Sequence, residues 1–157
     1  VELPVIESAP LAVSRGSRKR VSVTPVVEAD LPSLSGIRIL VIDDQEYTRD
    51  LLGAIFRHAH AAVAAASSVR EGLEQFASTS PRIVVCDLAM PEEDGFAFVR
   101  AIRALPGASK TTPVIALTAF GRPEDRKQAL AAGFDAYLKK PVDPEELTST
   151  VLRLTAK

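Results

Sequence analysis

The chain has no tryptophan, one cysteine, one methionine and two histidines among its 157 residues. A lone Cys86 closes no internal disulfide, and one cysteine with two histidines does not supply the ligand set of a structural zinc site. A reducing, cytoplasmic setting is therefore the expected one. Long hydrophobic runs are missing as well. Stretches such as Ile39 to Ile42 and Ala61 to Ala66 fall far short of the roughly 18 residues that mark a membrane span, so no membrane contact is expected. An excess of one charge is also absent: 19 basic side chains face 20 acidic ones, for a formal net charge of -1. That balance excludes the basic footprint of a nucleic-acid binder. What remains, 46% hydrophobic and 25% charged residues, is the composition of one ordinary folded domain. A domain of this size buries roughly 68–70% of its unfolded surface and needs no covalent staple.

Residues 1 to 35 read differently from the rest. They hold four of the eleven prolines and the run Arg15-Gly-Ser-Arg-Lys-Arg20, without any apolar period. This is the composition of a linker. Its charges cancel, Arg15, Arg18, Lys19 and Arg20 against Glu2, Glu7, Glu28 and Asp30. The chain begins with Val1 and carries no signal peptide, so it is expected to be a segment of a longer protein.

From residue 36 onward, short apolar runs alternate with segments of helical period, the pattern of βα units on a parallel sheet. Strands are predicted at Ile37 to Ile42, Ala61 to Ala66, Arg82 to Cys86, Pro113 to Thr118 and Ala136 to Leu138. The first helix is predicted from about Gln45 to Arg57, with Tyr47, Leu51 and Ile55 facing the sheet beside Leu52 and Phe56. Ser68 with Glu71 reads as a capping box opening the second helix. Phe98, Ile102 and Leu105 mark one face of the third. Pro123 opens the fourth and Gly133 stops it, while Asp143 and Pro144 cap and open the fifth. The result is a three-layer, doubly wound α/β domain with ligand-binding loops at the carboxyl ends of its strands.

Those strand ends collect the reactive side chains. The first ends in Asp43-Asp44, the third in Asp87, the fourth in Thr118, and the fifth leads to Lys140-Pro141. Three carboxylates brought together raise one another's pKa unless a cation stabilises their charges. With hard oxygen ligands only, Mg²⁺ is the expected ion. Asp87, on the central strand, is the candidate nucleophile for an aspartyl-phosphate reaction. Asp43 and Asp44 are better placed for the metal, and Thr118 and Lys140 offer donors to phosphoryl oxygens. No glycine-rich phosphate loop is present, so nucleotide binding is not expected.

Four motifs in order, Asp43-Asp44 after Ile37-Arg-Ile-Leu-Val-Ile42, Asp87-Leu-Ala-Met-Pro-Glu-Glu-Asp-Gly95, Ala116-Leu-Thr-Ala119 and Tyr137-Leu-Lys-Lys-Pro141, resemble the receiver domain of two-component response regulators over residues 36 to 157. The resemblance implies a flavodoxin-like five-stranded parallel sheet of order 2-1-3-4-5. It implies that Asp87 accepts a phosphoryl group from a phosphohistidine on a histidine kinase or histidine phosphotransfer domain. By the same resemblance Asp44 binds Mg²⁺ directly, Asp43 acts largely through water, and the backbone carbonyl of Ala89 is a further ligand beside Asp87. Lys140 rather than Lys139 takes the family's lysine position, before an expected cis bond to Pro141. Thr118 and Tyr137 form the switch pair that alters the surface of the fourth helix, fifth strand and fifth helix, a surface that could also pair two copies. Ala89 and Phe120 stand where the family tunes access of water, and a long-lived phosphoryl group is expected. The segment Val1-Glu-Leu-Pro-Val5 resembles the last strand of a sensor kinase ATPase domain. The parent chain is thus expected to be a hybrid histidine kinase ending in this receiver.

Several residues invite plainer readings. His58 and His60 are expected at the surface, at the end of the first helix and away from the carboxylates. Cys86 is expected to be a buried, inert thiol. Glu92, Glu93 and Asp94 are expected to be solvated charges, Asp94-Gly95 leading into the third helix, with reach to the metal edge as the alternative for Glu92. A phosphatase of the haloacid dehalogenase type is the enzymatic rival, but it wants Asp-X-Asp after the first strand where this chain has adjacent aspartates. A receiver-like binding module that is never phosphorylated is the third reading, and no acceptor or metal residue is missing to favour it.

Overall fold

Five short strands, the central ones apolar on both faces, decide the architecture. In the computed structural model, which describes residues 30–90, 93–119 and 122–156, β1 (Arg38–Ile42), β2 (Ala62–Ala66), β3 (Ile83–Asp87), β4 (Val114–Thr118) and β5 (Ala136–Lys139) form one sheet. All pairings are parallel and the order is β2-β1-β3-β4-β5. Most of the linker, and with it Val1 to Val5, lies outside the described residues, as do Glu92 and Phe120.

Residues two apart in a strand face the same side, and the sheet sorts them into two cores. Ile39, Val41, Ile83, Val85, Ile115 and Leu117 pack with Leu52, Ile55 and Phe56 of α1 (Glu46–His58) and Leu147 and Val151 of α5 (Pro144–Thr155). Leu40, Ile42, Val84, Cys86, Val114 and Ala116 pack with α2 (Val69–Thr79), α3 (Gly95–Arg103) and α4 (Pro123–Ala132). The central strands β3 and β4 are buried along their full length. This is why they read as continuous apolar runs rather than alternating ones. Across the second core Phe76 meets Phe98 edge to face, ring centroids 6.1 Å apart.

Helix termini follow their chemistry. Ser68 accepts from the Glu71 N–H at 3.1 Å, but the Glu71 carboxylate reaches back to the N–H of Ser67, at 2.6 Å, rather than to that of Ser68. Asp143 accepts from the Glu145 N–H at 3.2 Å and caps α5. Gly133 ends α4 at φ +119°, in the left-handed region that suits glycine.

Three expectations are corrected. Tyr47 does not face the sheet: it is 68% exposed, because α1 begins at Glu46 and its first turn rises past the strand ends. Leu105 lies beyond the end of α3 at Arg103 and is partly exposed, since Pro106 and Gly107 stop the helical period. Strand bounds also differ by about one residue, β3 running over Ile83–Asp87 rather than Arg82 to Cys86. A short 3-10 helix over Gly107–Thr111 carries no apolar pattern in the sequence.

The amino ends of β4 and β5 are tied by one side chain. Arg103 donates to the carbonyls of Gly133 (2.7 Å), Lys110 (3.0 Å) and Thr112 (2.7 Å) and to Asp135 Oδ2 at 2.8 Å. The same oxygen accepts from the Val114 N–H at 2.9 Å. Arg103→Ala leaves several part-buried acceptors without this partner and is expected to destabilise the domain by about 2–3 kcal/mol. Urea unfolding should show a lower midpoint with an unchanged slope.

Candidate functional site

The crevice lies above β1, β3, β4 and β5, at the carboxyl edge where a doubly wound sheet binds ligands. Asp43 follows β1 and is fully buried. Its Oδ1 accepts from the Gln45 N–H at 2.9 Å, and its Oδ2 accepts from Lys140 Nζ at 3.0 Å. Asp87, at the tip of β3, is 5% exposed. Its Oδ1 accepts from the Ala89 N–H at 3.3 Å, and its Oδ2 stands 3.6 Å from Lys140 Nζ. With Asp44, the three residues each present a carboxylate oxygen, all within 4.8 Å of one another.

Lys140 is delivered by β5. Its backbone N–H donates to the Thr118 carbonyl at 2.7 Å, and its bond to Pro141 is cis. Lys139, the last residue of β5, is exposed, so the ammonium in the pocket is that of Lys140. The Thr118 hydroxyl is buried at the end of β4 and hydrogen-bonded to Tyr137. The expected switch pair is thus in contact, with the tyrosine turned toward β4. Burial of the Tyr137 phenol, with Asp125 nearby, raises its pKa.

Electrostatics single out Asp87. Burial and the neighbouring Asp43 charge push its pKa up to about 6, against the opposing pull of Lys140 and the Ala89 N–H. One ammonium does not compensate three carboxylates. The chemistry of the donor set, hard oxygens within 4.8 Å and no thiol or imidazole, fits a small divalent cation such as Mg²⁺. Cys86, buried below, has its thiol pKa raised well above the usual range by that burial. Its burial is as expected. His58 and His60 are exposed at the far end of α1.

Two further contributors are not among the reactive side chains singled out at the strand ends. Arg49, one turn into α1, donates from Nη1 to the Asp43 carbonyl at 2.8 Å and pins the turn that aims that carboxylate. Gly95 opens α3 against the pocket floor: a Cβ there would stand 2.5 Å from the Asp87 carbonyl oxygen. Only glycine permits that approach. Its appearance as the last residue of the Asp87 to Gly95 motif was the available hint.

The model of the response regulator receiver domain family matches residues 39–152. An uncharacterized 14.6 kDa protein of Leptolyngbya boryana is 45% identical over 121 residues, covering 77% of this chain and 92% of its own. Hybrid signal transduction histidine kinase D of Dictyostelium discoideum is 32% identical over 141 residues, which are 85% of this chain but 9% of that one. Among solved structures, the signal receiver domain of a signal transduction histidine kinase from Syntrophus aciditrophicus superposes with a TM-score of 0.70 at 30% identity, covering 77% of this chain and 91% of that one.

The raised Asp87 value has a thermodynamic consequence. The folded protein holds this proton more tightly than the unfolded chain, whose value is 3.8, so stability falls as pH rises from about 4 through about 6. At neutral pH the ionised group costs about 3 kcal/mol. In metal-free buffer, Asp87→Asn is expected to be more stable than the wild type near neutral pH, and the difference should close below about pH 4. Urea unfolding at the two pH values checks it, and a constant difference would contradict it.

Proposed function

The chain belongs to the response regulator receiver domain family, and on that premise we propose that it is a phosphoacceptor of a two-component phosphorelay. An Asp87 carboxylate oxygen attacks the phosphorus of a phosphohistidine on a histidine kinase or histidine phosphotransfer domain. The P–N bond breaks, and the imidazole leaves with a proton from solvent. The observation that carries this reading is the buried Asp87 carboxylate set among Asp43, Asp44 and Lys140.

Phosphoryl transfer needs positioning and charge compensation more than acid-base help, and each residue has a share. Asp43, Asp44 and Asp87, with the Ala89 backbone carbonyl, would hold Mg²⁺, which when bound supplies positive charge to the phosphoryl oxygens. Lys140 sits between Asp43 and Asp87 and is free to turn its ammonium onto a phosphoryl oxygen. The Thr118 hydroxyl donates to another. Doing so draws it from Tyr137, whose ring then settles differently among α4, β5 and α5, and a chemical event becomes a change of surface. That surface is where a partner, or a second copy, would dock.

The parent protein is best read as a cytoplasmic signalling chain in which residues 1 to 35 link this receiver to a preceding kinase module. Support comes from the similarity to a kinase's receiver and to a hybrid kinase. Among the described residues no helix is long and apolar enough to cross a membrane.

Incubation with acetyl phosphate and Mg²⁺, read by intact mass, should give a single phosphoryl adduct that EDTA prevents and Asp87→Asn lacks. Lys140→Ala should slow its formation on the order of 10²-fold, the effect of removing one preorganised charge donor. No adduct from acetyl phosphate or from a phosphorylated kinase domain would overturn the phosphoacceptor reading in favour of a binding module.

A further inference from the structure

We propose that Arg122 is a second cationic contact for the phosphoryl group on Asp87, drawn to it from Asp125, and that it prolongs the life of that group. The proposal rests on the phosphoacceptor reading and adds to it a residue outside the family motifs quoted above.

A cleft of about 270 Å³ opens between the turn after β3 and the start of α4. Leu88 and Ala89 form one wall, and Thr118, Arg122 and Asp125 form the other. Ala89 donates its N–H to Asp87, and Thr118 ends the neighbouring strand, so a phosphoryl group on Asp87 would face this space. Arg122 stands at its rim as the residue before α4, with its side chain 72% exposed. Its Nε lies 3.3 Å from Asp125 Oδ2, and the two terminal nitrogens carry no hydrogen bond among the described residues.

An exposed pair of this kind is weakly held. A phosphoryl group carries more negative charge than a carboxylate and presents three strong acceptor oxygens, and guanidinium binds such oxygens in bidentate fashion. It therefore outcompetes Asp125 for Arg122. Loss of the phosphoryl group requires a water oxygen to attack phosphorus from the side opposite Asp87. The P–O bond to the carboxylate breaks, and inorganic phosphate forms as the water's proton passes to solvent. Ala89 offers no side-chain group to orient that water. A guanidinium laid over the outer phosphoryl oxygens covers its approach.

The same arginine also borders the groove that holds Tyr137. Both Arg122 and Asp125 are felt electrostatically at the Tyr137 hydroxyl. Moving Arg122 away leaves Asp125 unpaired beside that hydroxyl, so the exchange of partners reaches the switch pair.

The test uses the full chain phosphorylated by acetyl phosphate with Mg²⁺, freed of donor, and followed by intact mass near neutral pH. Arg122→Ala is expected to shorten the half-life roughly five-fold, with Arg122→Lys in between, while Asp125→Ala lengthens it roughly two-fold by freeing the guanidinium. Opposite signs from the two partners of one ion pair separate this role from a structural one, in which both losses act alike. An adduct whose decay ignores both substitutions, or shifts the same way in both, overturns the proposal alone. A wild-type chain that takes no phosphoryl group from any donor overturns the phosphoacceptor reading as well.

Discussion

Like charges at close range in a partly buried crevice govern this molecule. Asp43, Asp44 and Asp87 present oxygens within 4.8 Å of one another, two of them on buried residues. Such a group is stable only if protonated, paired or bound to a cation. Lys140 gives the partial answer, reaching Asp43 at 3.0 Å and Asp87 at 3.6 Å. The remaining imbalance falls on Asp87, which responds by holding its proton toward neutral pH. The pocket is thus built with a deficit of positive charge, and its donor set fits a small divalent cation.

The rest of the fold serves to impose that crowding. Four parallel strands, β1, β3, β4 and β5, bring their carboxyl ends to one edge, and the hydrophobic cores on either face fix their register. β3 is buried end to end, so the Asp87 backbone cannot retreat from its neighbours. Gly95 and Arg49 close the arrangement from below and behind, one by lacking a side chain and the other by bonding the Asp43 carbonyl. A pocket that sets charges against one another needs a stiff frame, and the frame here is the strand pairing itself.

Most of this was legible in the residues. Continuous apolar runs marked the central strands, capping residues the helix starts, and reactive side chains at successive strand ends the pocket, while the family resemblance chose Lys140 over Lys139. What escaped was long-range or irregular. Tyr47 fits the helical period of α1 but sits in a turn that has already passed the sheet, and periodicity alone does not say where a helix clears the layer beneath it. Leu105 fits the helical period of α3 as well, but Pro106 and Gly107 follow it and end the helix before it. Arg49 and the Arg103 network bond to backbone carbonyls, which every residue has and no motif records.

The Arg103 network lies at one end of β4 and the acidic crevice at the other. Val114 is tied through Asp135 to Arg103, and Thr118 closes the pocket four residues later. At about 3.3 Å per residue these points are about 13 Å apart along a parallel strand. β4 is therefore a rod clamped at its foot. It cannot slide along its axis to follow an event at its tip. Motion is channelled sideways, toward Tyr137 and the outer helices, rather than down through the sheet.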